Sequence, residues 1–315
     1  MIRPSTLSLA GLSLGFLLPV ASCDRAPSDG ATAAPESGQM HSGVQVTNYP
    51  LDFFASTLLG DRLPVHFLAP AEGDPAFWEP TDADVSALQQ ADCILLNGAT
   101  YEKWLPSVSL PQGKLVDTSE AFSDRWIVVK SEVTHRHGPG GDHSHAGTAF
   151  TTWIDFQQAA EQVRAIQKAV TPLLPEIEQP EVAARADRLL ADLAVLDARM
   201  AKVAERMKGV ALLASHPIYQ YWARRYGLDV TQLHWEPDQG LSDEQWAEFE
   251  KAQKAHPAQW LIWEAEPLPA SVERLKATGV TSLVFDPCGN RPETGDFLSV
   301  MRQNIADLET AFPQP

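Results

Sequence analysis

Beyond residue 43 the hydrophobic pattern alternates between two periods. Short apolar or β-branched runs at Val44–Thr47, Val65–Leu68, Cys93–Leu96 and Ile127–Val129 predict strands. Between them, Phe53–Leu59 and Asp82–Gln90 predict helices, the second opened by Thr81 with Asp84 three residues on, a capping-box spacing. Trp153–Val170 predicts an amphipathic helix. Pro180 then opens the most regular stretch of the chain. Val182, Ala186, Leu189, Leu193, Leu196, Met200, Val203 and Met207 repeat at alternating steps of four and three, the stripe of one long buried helix. Such a helix spans about 40 Å. After Gly209 the strands resume at Val210–Ala214, Val230–Leu233, Trp260–Trp263 and Ser282–Phe285. They alternate with helices over Ile218–Tyr226, Asp243–His256, Ala270–Ala277 and Phe297–Phe312.

Strands alternating with helices predict an α/β fold with parallel sheets. The expected architecture is two parallel-sheet lobes of about four βα units each, 43–179 and 209–315, joined by a spine helix over 180–208. Ligands of such sheets sit beyond the carboxyl ends of strands, so a cleft there is the expected site.

The N-terminus is patterned differently. Arg3 precedes an apolar run from Leu7 to Val20 that suits a secretory signal better than a membrane span. It ends in Val20-Ala21-Ser22-Cys23, which resembles a bacterial lipobox, so residues 1–22 are expected to be removed and Cys23 lipidated. Residues 23–42 are rich in Ala, Pro, Ser and Gly and read as a flexible tether. Cleavage would remove Arg3 alone among the charges, taking the formal net charge from −17 to −18. That acidity argues against nucleic acid and anionic lipid as partners. With Cys23 lipidated, Cys93 and Cys288 remain, the first expected in the core.

Chemistry concentrates in two places. Four of the nine histidines, His135, His137, His143 and His145, fall within Val133–Gly147. Imidazole-rich tracts bind borderline metals such as zinc. Each half is a His-x-His pair, and Gly138-Pro139-Gly140-Gly141 between them predicts a mobile loop. In the second lobe, His216 directly follows one predicted strand and Asp286 another, where a ligand would sit.

These features together resemble a family, the zinc/manganese substrate-binding proteins of ABC importers (periplasmic solute-binding proteins of cluster A-I, zinc type with a His-rich loop). The resemblance covers nearly all of residues 43–313. It rests on Val46-Thr-Asn-Tyr-Pro-Leu-Asp-Phe-Phe-Ala, on Glu79-Pro80-Thr81 with Ala91-Asp92 and Asn97-Gly98, and on the spine helix. Ser215-His216-Pro217, Tyr226-Gly227-Leu228 and Phe285-Asp286-Pro287 complete it. It implies an extracytoplasmic, monomeric lipoprotein that captures a divalent metal and delivers it to an inner-membrane ABC permease. Two ligand positions of that family are replaced here, one by Ala76 and one by Thr151, leaving His216 and Asp286.

Two ligands hold zinc poorly. The expectation is that His143 and His145 swing into the cleft and complete a tetrahedron with His216 and Asp286, a set that favours zinc over manganese. His135 and His137 would form an outer, secondary site. His66 is expected to be satisfied locally, while Glu72, Asp74, His234 and Glu264 are cleft residues without an assigned role. Two alternatives keep the fold or the loop but change the function. One is a cleft for a metal chelate or organic ligand, the other a surface-tethered zinc buffer. No metalloprotease, hydrolase or phosphate-binding motif occurs, which argues against an enzyme. Replacing His143 and His145 together by alanine should weaken zinc binding in calorimetry; unchanged affinity would exclude the loop as a source of ligands.

Overall fold

The long stripe is one helix, α4 (Gln179–Met207), and its eight predicted apolar positions are all buried. A computed structural model describes residues 42–71, 73–129, 134–136, 142–144 and 147–314, with 134–136 and 142–144 described by backbone alone. The expected signal segment, Cys23 and the tether up to residue 41 lie outside the described residues, as do Glu72, His137 and His145. The rest belongs to one compact unit, His41–Pro315.

Before α4 come β1 (Val44–Val46), β2 (Val65–Phe67), β3 (Cys93–Leu96) and β4 (Leu115–Asp117), all parallel in the order β2-β1-β3-β4. Three helices accompany them: α1 (Tyr49–Leu59), α2 (Asp82–Gln90) and α3 (Phe156–Val170). The capping box predicted for α2 is formed, with the Thr81 hydroxyl accepting from Asp84 N and the Asp84 carboxylate accepting from Thr81 N. Asn48 caps α1 through its side-chain oxygen, which accepts from Leu51 N at 3.0 Å.

The fourth strand corrects the expectation from sequence. Ile127–Val129 is not in the sheet. Instead β5 (Val128–Val129) pairs antiparallel with β8 (Gly147–Thr148), and Val128 is 70 % exposed. The sheet edge is Leu115–Asp117, whose half-buried side chains give a weaker apolar signal. The His-rich segment also departs from a plain loop, since the backbone of β6 (Thr134–Arg136) pairs antiparallel with β7 (Asp142–Ser144), His135 opposite His143.

After α4 come β9 (Ala211–Ala214), β10 (Asp229–Gln232), β11 (Trp260–Trp263) and β12 (Thr281–Val284), parallel in the order β10-β9-β11-β12. Helices α5 (Gln220–Tyr226), α6 (Asp243–Ala255), α7 (Pro269–Lys276) and α8 (Phe297–Ala311) complete the chain. The two sheets thus share one strand order. They also share one register, with Val46 opposite Leu95 in the first and Ala214 opposite Ile262 in the second. Two residues beyond Val46, Asn48 donates from Nδ2 to Asn97 Oδ1 at 3.1 Å, a buried amide pair.

Helix α4 packs against α1, α3 and α8. One hydrophobic core therefore runs without interruption from Val44, Val46 and Leu95, through α4, to Leu212, Ile262 and Phe285. Polar contacts join the lobes as well. Trp153 Nε1 donates to Pro287 O at 2.7 Å, Tyr221 OH to Ala149 O at 2.8 Å, and Tyr49 N to Gly289 O at 3.1 Å. Arg291 reaches Asp52 at 3.0 Å.

A shared core makes unfolding cooperative. Leu193→Ala, in the middle of α4, should remove about 3 kcal/mol. Tryptophan fluorescence and far-UV circular dichroism should then shift to lower urea together; separate transitions would show that the lobes unfold independently.

Candidate metal centre

Parallel strands deliver their loops to one edge, and at that edge the second sheet gathers three ionisable side chains. His216 lies two residues past β9, Glu236 four past β10 and Glu264 one past β11. The sheet hydrogen bonds continue beyond the strands: Ser215 N donates to Ile262 O at 2.8 Å, and Trp235 N to Ser215 O at 2.7 Å. Both bonds hold the backbone of Ser215, directly before His216. Behind the acids, Trp235 and Trp263 are fully buried against one another and Phe249, so the strand ends cannot splay.

His216 Nδ1 stands 3.4 Å from Glu236 Oε1 and 3.9 Å from Glu264 Oε1. One donor atom from each of the three lies within 4.8 Å of the others, the one such group among the described residues. Two donors on a tetrahedral zinc ion with bonds of about 2.0–2.2 Å stand about 3.3 Å apart. The observed spacing fits an ion after small side-chain adjustments. The imidazole is almost fully buried, while each carboxylate side chain keeps about one-fifth of its surface exposed, so the centre opens on one side.

Bringing carboxylates together below the surface holds protons on them. Burial raises Glu236 to about 7, helped by Asp238 and Asp74. Glu264 is raised well above the usual carboxylate range, first by burial and then by Glu236, Asp74, Asp286 and Asp238. Asp286 is raised by burial, offset by the bond that its Oδ1 accepts from Cys288 N at 2.6 Å.

The residues singled out from sequence divide accordingly. His216 is at the centre. Asp286 is close enough for its charge to act on Glu264, and its backbone is held by Asn304 on both sides, at 3.1 and 2.7 Å. The backbone of His143 and His135 pairs in the β6–β7 hairpin, and their side chains lie outside the described residues, as do His137 and His145. His66 is exposed on β2. His234 is turned towards α6, 3.6 Å from Glu248, and Cys93 is buried in the core. The sequence alone gave Glu264 no role, and Glu236 was missed. The signal was an acid directly after the apolar strand Trp260–Trp263, and another in the turn after β10.

In the first lobe the two replaced positions carry neither imidazole nor carboxylate. Ala76 and Thr151, at the two replaced positions, are buried. Beside them Phe77 and Phe150 meet edge to face at 6.5 Å, and Lys103 Nζ lies 4.2 Å from the Phe77 ring centre.

Comparison with known proteins fits this architecture. The family described as "ZnuA: Zinc-uptake complex component A periplasmic" matches residues 44–311. The chain belongs to the ZnuA family. Its relatives include the high-affinity zinc uptake system protein ZnuA of Bacillus subtilis, 26% identical over 310 residues that cover 94% of each chain. The zinc-binding lipoprotein AdcA of Streptococcus pneumoniae is 24% identical over 282 residues, 86% of this chain but 56% of AdcA, so this chain spans about half of that relative. Among solved structures, the metal-dependent lipoprotein YcdH of B. subtilis superposes with a TM-score of 0.71 at 21% identity, covering 85% of this chain and 98% of that one. The Zn(II)-bound ZnuA-like domain of S. pneumoniae AdcA gives 0.70 at 21%, over 86% and 98%. Both share the ZnuA fold. It is a family of metal-binding transport components. Among the described residues no helix is long and apolar enough to cross a membrane.

Protons and metal compete for the same carboxylates. Glu236 titrates above its unfolded value, so its ionisation destabilises the metal-free fold as pH rises through about 4.5 to 7. An ion bound to the ionised form reverses that penalty. Zinc affinity should therefore climb between pH 6 and 8, by up to about tenfold per pH unit for each proton displaced. The zinc-induced rise in Tm should be larger at pH 8 than at pH 6; a flat profile would show that these carboxylates take no part.

Proposed function

We propose that the protein captures zinc outside the cytoplasmic membrane and delivers it to an ABC permease, with His216, Glu236 and Glu264 as the protein's core ligands. The observation that carries this reading is the convergence of one imidazole and two carboxylates at the ends of three neighbouring strands. Membership of a zinc-uptake family supports it, and so do the names of relatives that bind zinc. Two ionised carboxylates neutralise the dication, and the buried imidazole supplies the nitrogen that zinc favours. A fourth donor completes a tetrahedron. His143 or His145 from the His-rich segment, or Asp286 from the strand end beside Glu264, would each supply it. The remaining histidines of that segment, His135 and His137, form an outer set that raises the local concentration of zinc at the cleft.

On this reading residues 1–22 direct export, Cys23 carries the lipid that anchors the protein, and 23–42 tether it. The lobes 43–179 and 209–315, bridged by 180–208, act as one monomer. Export and capture without catalysis match the absence of nucleophile and phosphate-binding motifs from the sequence.

A specific observation widens the choice of metal. The centre has one nitrogen and two carboxylates, richer in oxygen than the three-histidine set expected from the sequence, and oxygen suits manganese. Zinc still stands ahead in intrinsic affinity. Calorimetry on the purified full-length chain should show zinc binding that His216→Ala abolishes, and manganese should bind more weakly and be displaced by zinc. Full zinc affinity in His216→Ala would overturn the proposed centre.

A further inference from the structure

The His-rich segment leaves and re-enters the fold through two short strands, and one hydroxyl holds both. The strands β5 and β8 pair at two positions, Val128 with Thr148 and Val129 with Gly147. At their base Ala149 N donates to Ile127 O at 2.8 Å. A two-stranded ribbon of this length is marginal in water by itself. Val128 is exposed, so its side chain adds little to the pairing. The ribbon therefore depends on what grips its base.

That grip comes from α5, which opens four residues after His216. The buried Tyr221 hydroxyl accepts from Ile127 N at 3.3 Å and donates to Ala149 O at 2.8 Å. One phenol thus uses its donor and an acceptor position to join both feet of the ribbon. Three residues on, the Arg224 guanidinium lies 5.1 Å from the centre of the Tyr221 ring and donates to Arg125 O. Arg125 is held in turn by Glu161 of α3, both of whose oxygens accept from Nη2 at 2.7 Å.

The returning strand is also held from the first lobe. Thr100 Oγ1 donates to Thr148 O at 3.4 Å and Asn97 Nδ2 to Phe150 O at 2.9 Å. With Tyr221 on Ala149 O, three successive carbonyls each accept from a side chain. Ala99 and Thr100 take φ of 49° and 62°, a left-handed conformation unfavourable for residues with a side chain. The Glu102 carboxylate spans that turn, accepting from Asn97 N at 2.6 Å and Gly98 N at 3.2 Å. Of these three grips, the one from Tyr221 reaches both strands and comes from the lobe that carries His216.

We propose that Tyr221 is a positioning residue for metal capture: it clasps both feet of the His-rich segment to the helix that follows His216, and so keeps the segment's histidines on a short tether of fixed origin. The inference rests on the zinc-capture reading above and adds to it a residue that touches no metal. A tethered ligand meets its target at an effective concentration that falls as about the −3/2 power of tether length. Along the sequence His143 is four residues from Gly147 and seven from Phe150, the next carbonyl held independently of Tyr221. Fraying of the ribbon to Phe150 would lower the effective concentration about twofold on that side alone.

The test follows transfer of zinc from a chromogenic chelator to the purified full-length chain by stopped-flow absorbance, together with amide exchange. Tyr221→Phe keeps the ring and removes the hydroxyl. Exchange at residues 127–129 and 147–149 should rise about tenfold while α4 stays protected, and zinc transfer should slow at least about twofold. A disulfide across the facing pair, Val128→Cys with Thr148→Cys, should restore both in Tyr221→Phe, because it closes the ribbon without the hydroxyl. In a chain lacking residues 134–146, Tyr221→Phe should leave the transfer rate unchanged. Unaltered exchange or an unaltered rate in Tyr221→Phe would overturn the proposal. An equal slowing in the shortened chain would do the same, since Tyr221 would then act on the fold alone, and so would a disulfide-closed ribbon that stays slow. If His216→Ala retains zinc, the reading beneath the proposal fails; if it loses zinc while Tyr221→Phe loads at full rate, the inference about Tyr221 alone fails.

Discussion

The structure turns on mutual repulsion among carboxylates held at one edge of a sheet. Glu236, Glu264 and Asp286 follow three strands at the same edge of the second sheet. At an effective dielectric of about 20, two like charges 4 Å apart repel by about 4 kcal/mol. Such a cluster persists only if the scaffold is stiff and the charge is relieved, by protons in one state and a cation in another. The raised titration of Glu236 and Glu264 is the first form of relief, and the second is what a metal carrier provides.

Stiffness comes from bonds that continue the second sheet past its strands and from the tryptophan layer behind it. Ser215 is tied to Ile262 and Trp235 through its backbone, so His216 cannot back away from the acids on either side. Further out, α4 and the shared core hold both lobes as one body. The links Trp153–Pro287 and Tyr221–Ala149 cross between lobes near the strand ends, where a hinge would otherwise open. A body of this kind leaves little freedom for the lobes to rotate against one another.

How much of this was legible from sequence depended on whether a feature is local. The stripe of α4, the Thr81–Asp84 capping box and the strands Cys93–Leu96 and Trp260–Trp263 are written in consecutive residues, and the structure has them where the pattern put them. Leu115–Asp117 escapes notice because this half-buried edge strand ends in an acid, whereas Ile127–Val129 is wholly apolar but leads into a two-stranded ribbon with Val128 exposed. His216 could be found because it follows a strand within a motif. Glu236 could not, because its closeness to His216 depends on the strand order β10-β9-β11, a tertiary fact that no window of sequence contains. His234, two residues earlier, is the more metal-like side chain and turns the other way, towards Glu248.

The identical strand order and register of the two sheets carries a consequence of its own. Continued two residues past Val46 and Leu95, the first register sets Asn48 opposite Asn97; continued past Ala214 and Ile262, the second sets His216 opposite Glu264. One place in a repeated scaffold is thus filled by two different pairs. The amide pair is neutral, buried and satisfied by its own hydrogen bond, and it works as a permanent latch. The imidazole–carboxylate pair, 3.9 Å apart, can change its charge, and on the proposed reading an ion joins it. The molecule reads as two halves built to one plan, in which the first pair is locked by its own side chains and the second, on that reading, closes on its cargo.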